Sequence, residues 1–179
     1  MPSPIAHAVS GYVLSELFPL KSAPSKKQKR YHWQSFLGVF LAVAADLDFL
    51  PQLLTGERFH RGLTHTLLFT VGLSLIIGLL GQWSGKFSAQ KLIRWTLILY
   101  GSHLLLDIFT AGGLGVQIFS PFSDVYIQSP LPLFPGVHHS RGLFDPSHLV
   151  FVSWELGYSA IILAGLWLWK QSQSRKLVE

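Results

Sequence analysis

Cysteine is absent from this 179-residue chain, and charged side chains are scarce. Without cysteine there is no disulfide bond and no thiolate metal site, so a bound metal ion must be held by nitrogen and oxygen atoms. Charged residues make up 13 % of the chain and hydrophobic residues 49 %, a balance too apolar for an ordinary soluble domain. The composition predicts a membrane protein whose residues 1–179 form one domain.

Four stretches of the sequence are apolar over the roughly 20 residues that a membrane-crossing helix needs. They run from Ser35 to Leu54, from Leu63 to Trp83, from Leu92 to Ala111 and from His148 to Trp169. A fifth stretch, Pro4 to Leu20, is shorter and carries Glu16, so it crosses, enters part of the way or lies at the interface. We expect an all-α, polytopic membrane helix bundle with four or five transmembrane helices and a Pro/Gly-rich outer loop over residues 112–147.

The lysine and arginine residues predict how the helices are oriented. When alternate connections are counted, one side of the bundle holds eleven basic residues and the other holds only Arg58, Arg61 and Arg141. Because the cytoplasmic loops of multipass proteins carry the basic excess, we expect a cytoplasmic C-terminus. The basic residues form no stripe along a helix, so we expect the lipid bilayer, and no nucleic acid, as a partner.

This topology brings imidazole and carboxylate groups from distant parts of the chain to one depth on the non-cytoplasmic side. A charged group inside a bilayer is costly and usually faces the interior of a bundle, where it finds a partner. We therefore predict a metal site near the outer boundary of the membrane. Its candidate ligands are His7, Asp46, Asp48, His60, His65, His103 and Asp107.

The spacing of these residues indicates which of them can share an ion. His103 and Asp107 are four residues apart, so they project from one helical face. Asp46 and Asp48 would point about 200° apart on an uninterrupted helix. Either the helix loosens near Pro51, or one aspartate acts through a hydrogen bond to another ligand.

The stretch FHRGLTHTLLF carries two of the candidate ligands at the start of an apolar run. Gly62 allows a tight turn before a helix that we expect to begin near Leu63, and Thr64 offers a hydroxyl as a cap or as a ligand. His60 can then approach from the loop, while His65 points from the first helical turn.

Each of these features also has a simpler interpretation. A single His–Asp pair of this spacing is often an ordinary helix-stabilising contact, and DLD before a proline can be a helix end at the water surface. His32 and either His138 or His139 suit surface histidines. Glu155, which shares a helical face with His148, suits a structural hydrogen bond as well as a metal bond. The combination, and no single feature, indicates a site.

Four segments resemble the YdjM family of inner-membrane proteins. They are SPIAHAVSG, DLDFLP, FHRGLTHTLL and GSHLLLDIFTAGGLGVQIFSPFS, in the order of the family, from His7 to about Phe122. The resemblance implies a multipass protein of the cytoplasmic (inner) membrane and a metal-dependent hydrolase. The family is also described as LexA-binding, which implies a LexA-type protein partner.

The order of the ionisable residues is also similar to the ligand order of zinc-dependent phospholipase C and related single-strand nucleases. These are helical enzymes that hold a cluster of zinc ions. The order would be filled by His7, Asp46 or Asp48, His60 or His65, His103 with Asp107, His138 or His139, and His148 with Glu155. The last pair is seven residues apart instead of four, and the chain does not begin with the tryptophan of those phospholipases.

Imidazole and carboxylate ligands suit zinc, in one to three copies, with manganese or iron as alternatives. Two such ions about 3.5–4 Å apart can activate a water molecule and stabilise both oxygens of a phosphoester displacement. We predict Asp48, or Asp46, as the group that orients or deprotonates this water. Arg61 would hold a phosphate oxygen, or else act only as an interfacial anchor. The expected activity is hydrolysis of a phosphoester, or another ester, of a lipid-like substrate at the outer face.

Two other classes of protein collect the same residues. An ion or small-molecule transporter places intramembrane His and Asp along its path, but the two halves of this chain show no convincing repeat. A membrane scaffold that uses a metal only for folding has the same ligands, with every coordination position closed. Metal-dependent flux would indicate the transporter, and turnover would indicate the hydrolase.

Overall fold

Helices make up the regular structure of the chain. The computed structural model describes residues 4–20, 32–55, 61–85, 87–136 and 146–176. The α-helices are α1 (Pro4–Leu17), α2 (His32–Val43), α3 (Phe49–Thr55), α4 (Leu67–Trp83), α5 (Ala89–Ile108) and α6 (Ser147–Lys176). Two 3₁₀ segments, Ala44–Asp48 and Leu63–His65, precede α3 and α4. The described residues contain isolated β-bridges but no β-strand, so the predicted all-α class is confirmed.

Two helical stretches are long and apolar enough to cross a membrane. They are Trp33–Pro51, with 19 residues, and His148–Arg175, with 28 residues. The apolar Leu67–Trp83 is shorter. The 14 residues of α1 span about 21 Å at 1.5 Å per residue, whereas the hydrocarbon core is about 30 Å thick. The length of α1 therefore does not support a complete crossing by residues 4–20. The other two expected placements are partial entry and a position at the interface.

The central helix is α5, because α1, α2 and α4 all pack against it. Its inner face buries Trp95, Leu99 and Leu104, and it also buries the polar side chains of His103 and Asp107. Their four-residue spacing places both polar groups on the face that the surrounding helices cover.

The close approach of α1 to α2 depends on two glycines. A Cβ atom added at Gly11 would lie 2.5 Å from the Cβ of Ala42 and 2.8 Å from the carbonyl oxygen of Gly38. One added at Gly38 would lie 2.6 Å from the Cβ of Ser15. Small residues at a helix interface let two backbones pack in direct contact. This contact holds the N-terminal helix, and therefore His7, against the rest of the bundle.

The Pro/Gly-rich segment after α5 is ordered over its described residues, as expected from its apolar content. Val116 and Ile127 exchange two backbone hydrogen bonds, of 3.0 and 2.9 Å, and the amide of Ala111 donates to the carbonyl of Phe134. Val116 and Phe134 are buried. The segment therefore folds back over the C-terminal end of α5, where His103 and Asp107 lie.

Polar contacts at the other end of the bundle join three helices. The ammonium group of Lys170 lies 2.6 Å from a carboxylate oxygen of Glu16, and the hydroxyl of Ser35 donates to the other oxygen at 2.8 Å. These contacts join α6, α1 and α2.

Candidate metal centre

Side chains from four separate segments meet at one buried position, which we call the His/Asp cluster. His7, His65 and His103 are fully buried, Asp107 is 1 % exposed, and the side chain of Asp46 is 14 % exposed. The three residues that α1 and α5 contribute lie on regular helix, while Asp46 and His65 lie on the two 3₁₀ segments.

Ligand atoms of Asp46, His65 and His103 lie close enough together to share one metal ion. The Nε2 atoms of His65 and His103 are 3.2 Å apart. The Oδ1 atom of Asp46 lies 3.6 and 3.4 Å from these two nitrogens, and the Oδ2 atom of Asp107 lies 3.5 and 3.8 Å from them. Zinc bonds of about 2.0–2.2 Å in tetrahedral geometry give ligand-to-ligand distances of about 3.3–3.6 Å. The distances among Asp46, His65 and His103 therefore fit three corners of a zinc site, and Asp107 faces the same two nitrogens.

Hydrogen bonds on the far side of each ring orient these two imidazoles. The Nδ1 atom of His103 lies 2.7 Å from the carbonyl oxygen of Ala42, which can only accept, so Nδ1 carries the proton. The Nδ1 atom of His65 lies 3.1 Å from the Oδ2 atom of Asp48. A neutral ring held in this way turns the lone pair of Nε2 inward, as in known metal sites. If both rings are neutral with Nδ1 protonated, their Nε2 lone pairs would face each other at 3.2 Å, and a cation between them would remove the repulsion.

The unsatisfied polar atoms of the cluster also fit a cation. Both ring nitrogens of His7 and both carboxylate oxygens of Asp46 and Asp107 are buried without a hydrogen-bond partner in the described part of the chain. Such burial is costly unless an opposite charge or a hydrogen bond offsets it. Coordination would satisfy most of these atoms at once.

His7 extends the cluster, because with His103 and Asp107 it forms a second group of ligand atoms that could share an ion. Its ring stacks on that of His103, with centroids 3.7 Å apart and planes 15° apart. Its Nε2 atom lies 3.5 Å from the Oδ1 atom of Asp107. The two oxygens of Asp107 therefore face different imidazoles, so this carboxylate can bridge two ions, as in two-metal sites.

Asp48 lies beside the His/Asp cluster and contacts its outer side. Its Oδ2 atom accepts hydrogen bonds from the hydroxyl of Thr64, at 2.7 Å, and from the backbone amide of Arg61, at 3.2 Å. The same atom faces Nδ1 of His65. Of the two arrangements predicted for Asp46 and Asp48, the contacts match the one in which an aspartate acts through another ligand. The helix also loosens, because Ala44–Asp48 is a 3₁₀ segment.

The start of α4 differs from the prediction. The helix begins at Leu67 and not near Leu63, because Thr66 adopts an extended conformation and its hydroxyl accepts from the amide of Phe69 at 3.1 Å. Thr66 is thus the cap, and Thr64 instead bonds Asp48. His65 points from the preceding 3₁₀ turn and not from the first turn of α4.

Arg61 lies at the entrance to this turn, with φ of 63°, a left-handed value that is uncommon for a residue other than glycine. Its Nη1 atom donates to the carbonyl oxygen of Gly115 at 3.2 Å, and its buried Nε atom has no partner within the described residues. The side chain therefore joins the turn to the Gly-rich segment after α5.

The remaining predicted residues add no described ligand to the His/Asp cluster. His60, His138 and His139 lie outside the described residues. Glu155 on α6 is fully buried and His148 is half-buried, and neither belongs to the groups of side chains that could share an ion.

Sequence reasoning missed the partners that orient the ligands. The carbonyl of Ala42 has no signal in residue type or spacing, whereas Thr66 is a preferred type of cap residue. Tyr100, whose buried hydroxyl donates to the carbonyl of Thr64 at 2.9 Å, could have been found from its position three residues before His103 on α5.

Comparison with known proteins identifies the family of this chain. The profile of the YdjM inner membrane protein family matches residues 1–177. The chain belongs to this family. Inner membrane protein YbcI of Escherichia coli (strain K12) is 30 % identical to this YdjM-family chain over 141 residues, covering 75 % of each protein. No solved structure matches the chain. The predicted family is confirmed, and with it an inner membrane location.

Proposed function

We propose that this YdjM-family protein is a membrane-bound, metal-dependent hydrolase that cleaves a phosphoester, or another ester, of a lipid-like substrate. The observation that carries the proposal is the close spacing of buried ligand atoms from His65, His103, Asp46 and Asp107, which form groups able to share an ion. His7 and the second oxygen of Asp107 would hold a second ion. Zinc is the preferred ion.

Hydrolysis of a phosphoester adds water to phosphorus, breaks the bond to the leaving oxygen and moves a proton from the water to that oxygen. The bound metal would supply Lewis acidity and an activated water molecule. Either Asp48 or Asp46 is predicted to orient or deprotonate this water. Asp46 is the better placed, because its Oδ2 atom has no hydrogen-bond donor among the described residues. Asp48 would act through His65, and the free Nε atom of Arg61 would hold a phosphate oxygen.

An apolar groove beside the centre supports a lipid-like substrate. The groove has a volume of about 500 Å³ and runs between α2, α3 and α4. Its walls include Phe40, Leu47 and Leu73, and its polar lining consists of Asp48 and Thr64 together with Tyr100. Because Asp48 contacts a predicted ligand, an acyl chain in this groove would carry its ester group toward the metal centre.

The proposal includes the predicted topology. Four or five spans, with the basic ends of the helices in the cytoplasm, would place the His/Asp cluster on the non-cytoplasmic side. Segments between His7 and Asp107 share this cluster, and α6 packs against α1, which supports one domain.

A metal-stabilised membrane scaffold is the second candidate. The observation in its favour is that the cluster is buried and offers several protein ligands, which could close every coordination position as in structural zinc sites. In that case the ion would contribute to stability, and no substrate would be hydrolysed.

Metal analysis of the detergent-purified protein tests the proposal first. We expect stoichiometric zinc in the parent and its loss in His103→Ala and Asp107→Asn, because each substitution removes a candidate ligand. Asp124→Asn is the matched control, since Asp124 is exposed in the loop after α5. Full zinc content in both cluster variants would contradict the site.

Turnover separates the hydrolase from the scaffold. Bis(p-nitrophenyl) phosphate and a mixed-lipid micelle are the probes, with and without a chelator. We expect chelator-sensitive release of p-nitrophenol or of a lipid product, lost in His103→Ala and kept in Asp124→Asn. A zinc-loaded protein that hydrolyses neither probe but unfolds at a lower temperature after chelation would support the scaffold instead.

A further inference from the structure

A second pocket lies at the opposite end of α5 from the His/Asp cluster. It has a volume of about 510 Å³ and is formed by the segment after α1 and the first half of α5. Lys91 and Asp107 are separated by about 24 Å along the helix axis, at 1.5 Å per residue. The pocket is therefore separate from the candidate metal centre. Its lining residues are Phe18, Pro19, Leu20, Ser88, Gln90, Lys91, Arg94, Trp95 and Ile98.

The lining of this pocket is basic, with no opposing acidic group. Lys91 and Arg94 are exposed and lie one turn apart on the same face of α5. Neither makes an ion pair with another described residue. In the sequence, no acidic residue occurs between Glu16 and Asp46, or between Glu57 and Asp107. Glu16 itself is bonded to Lys170 and Ser35. An anion in the pocket would therefore meet two cations and no carboxylate.

One end of the pocket is polar and the other is apolar, which matches the headgroup and the acyl chain of a lipid. Ser88, Gln90 and Lys91 form a polar rim at the start of α5, while Ile98 lies two turns further along the helix and Phe18 forms an apolar wall. Trp95 lines the pocket, is 3 % exposed and has no hydrogen-bond partner for its indole N–H in the described part of the chain. A headgroup rich in oxygen would supply the missing acceptor.

From these observations we infer that the pocket binds the headgroup of an anionic phospholipid, with its phosphate between Lys91 and Arg94 and an acyl chain along Ile98. A YdjM-family protein lies in the inner membrane, so lipid molecules surround it. Basic pockets between membrane helices are a recognised kind of site for anionic headgroups. The inference does not depend on the proposed hydrolase activity.

Lipid binding to the full, detergent-purified chain, followed by native mass spectrometry, tests this inference. The probes are dioleoyl phosphatidylglycerol, which is anionic, and dioleoyl phosphatidylcholine, which is zwitterionic. We expect tighter binding of the anionic lipid. Lys91→Gln with Arg94→Gln should weaken it by roughly 10- to 30-fold, at about a factor of five per basic residue.

The matched control removes the same charge elsewhere. Arg175→Gln with Lys176→Gln, at the end of α6, should leave the preference for the anionic lipid unchanged. Arg94→Lys keeps the charge and should retain most of the binding that Arg94→Gln loses. Unchanged zinc content and thermal unfolding would show that the fold of each variant is intact, as expected for exposed side chains.

Three outcomes would overturn the inference. One is equal binding of the two lipids by the parent, and another is an equal loss in both double variants. The third is complete displacement of phosphatidylglycerol by excess inorganic phosphate, which would show that the pocket recognises a free anion and not a lipid.

Discussion

At the scale of single residues, the orientation of two imidazole rings decides what the His/Asp cluster can bind. His103 is oriented by a backbone carbonyl and His65 by the carboxylate of Asp48. In both rings Nδ1 makes the contact that orients the ring, and Nε2 stays available to a metal ion. Partners of this kind fix the tautomer of a histidine ligand and raise its basicity.

Substitution of Asp48 tests whether it acts through His65. We expect Asp48→Asn to weaken zinc binding by about 10- to 100-fold, the range found for partners that orient metal ligands. At saturating zinc, the stoichiometry should equal that of the parent, because no ligand atom has been removed. A chelator competition titration measures the affinity, with Asp124→Asn as the control. Loss of zinc at saturation, as expected for Asp107→Asn, would instead make Asp48 a ligand.

At the scale of helices and turns, Asp46 and His65 lie where 3₁₀ segments interrupt or precede the regular helices. The 3₁₀ segment Ala44–Asp48 turns Asp46 toward the two imidazoles, and the 3₁₀ turn Leu63–His65 brings His65 in from the side. His7 has no such turn, so its position depends on how closely α1 packs against α2.

The glycine contact between α1 and α2 gives a prediction about stability. Glycine to alanine in a helix interior usually stabilises by about 0.5–1 kcal/mol. In Gly11→Ala the new methyl group would overlap Ala42 and the backbone of Gly38, and overpacking costs about 1–3 kcal/mol. We expect Gly11→Ala to unfold at a lower temperature than the parent and to bind zinc more weakly, because His7 is one turn away.

Gly72→Ala is the matched control for this experiment. Gly72 lies within α4, and a Cβ atom there would meet nothing within 4 Å. Thermal unfolding should show no loss of stability in this variant. Equal shifts of the unfolding temperature in Gly11→Ala and Gly72→Ala would mean that both substitutions act through helix propensity. The packing of α1 against α2 would then not explain the effect.

At the scale of the whole molecule, the predicted topology gives the two ends of the bundle different charges. The His/Asp cluster lies at the end that includes the loop after α5, while eleven of the fourteen basic residues lie on the other side of the predicted topology. The proposed lipid pocket lies at the basic end. The two sites would therefore face opposite leaflets if α5 crosses the membrane.

The absence of cysteine allows a direct test of this arrangement. In Asp124→Cys and Ser84→Cys, each introduced thiol is the only one in the protein, and both positions are exposed. We expect a membrane-impermeant maleimide to label Asp124→Cys in intact cells and Ser84→Cys only after the inner membrane is permeabilised. The reverse pattern would place the His/Asp cluster in the cytoplasm, and labelling of both from outside would mean that α5 does not cross.

Residues of the centre that lie close together in the sequence could be predicted as partners, and residues far apart in the sequence could not. His103 and Asp107 could be paired from their spacing, because one turn of helix determines their common face. Asp46 could not be distinguished from Asp48, because a 3₁₀ segment replaces the regular helix that the apolar run predicts. The predicted start of α4 was wrong, because either threonine before it could serve as the cap. The stacking of His7 on His103 had no local signal at all.

By itself, the sequence determined the helical membrane class, the restriction to nitrogen and oxygen ligands, and the residue types of the centre. These depend on composition and on spacing within one helix, which local geometry controls. Only the tertiary structure decided which atoms converge, which aspartate faces the ligands and which carbonyl orients His103. These depend on how segments far apart in the chain pack together, and a separation of 3.2 Å between two ring nitrogens is set by that packing.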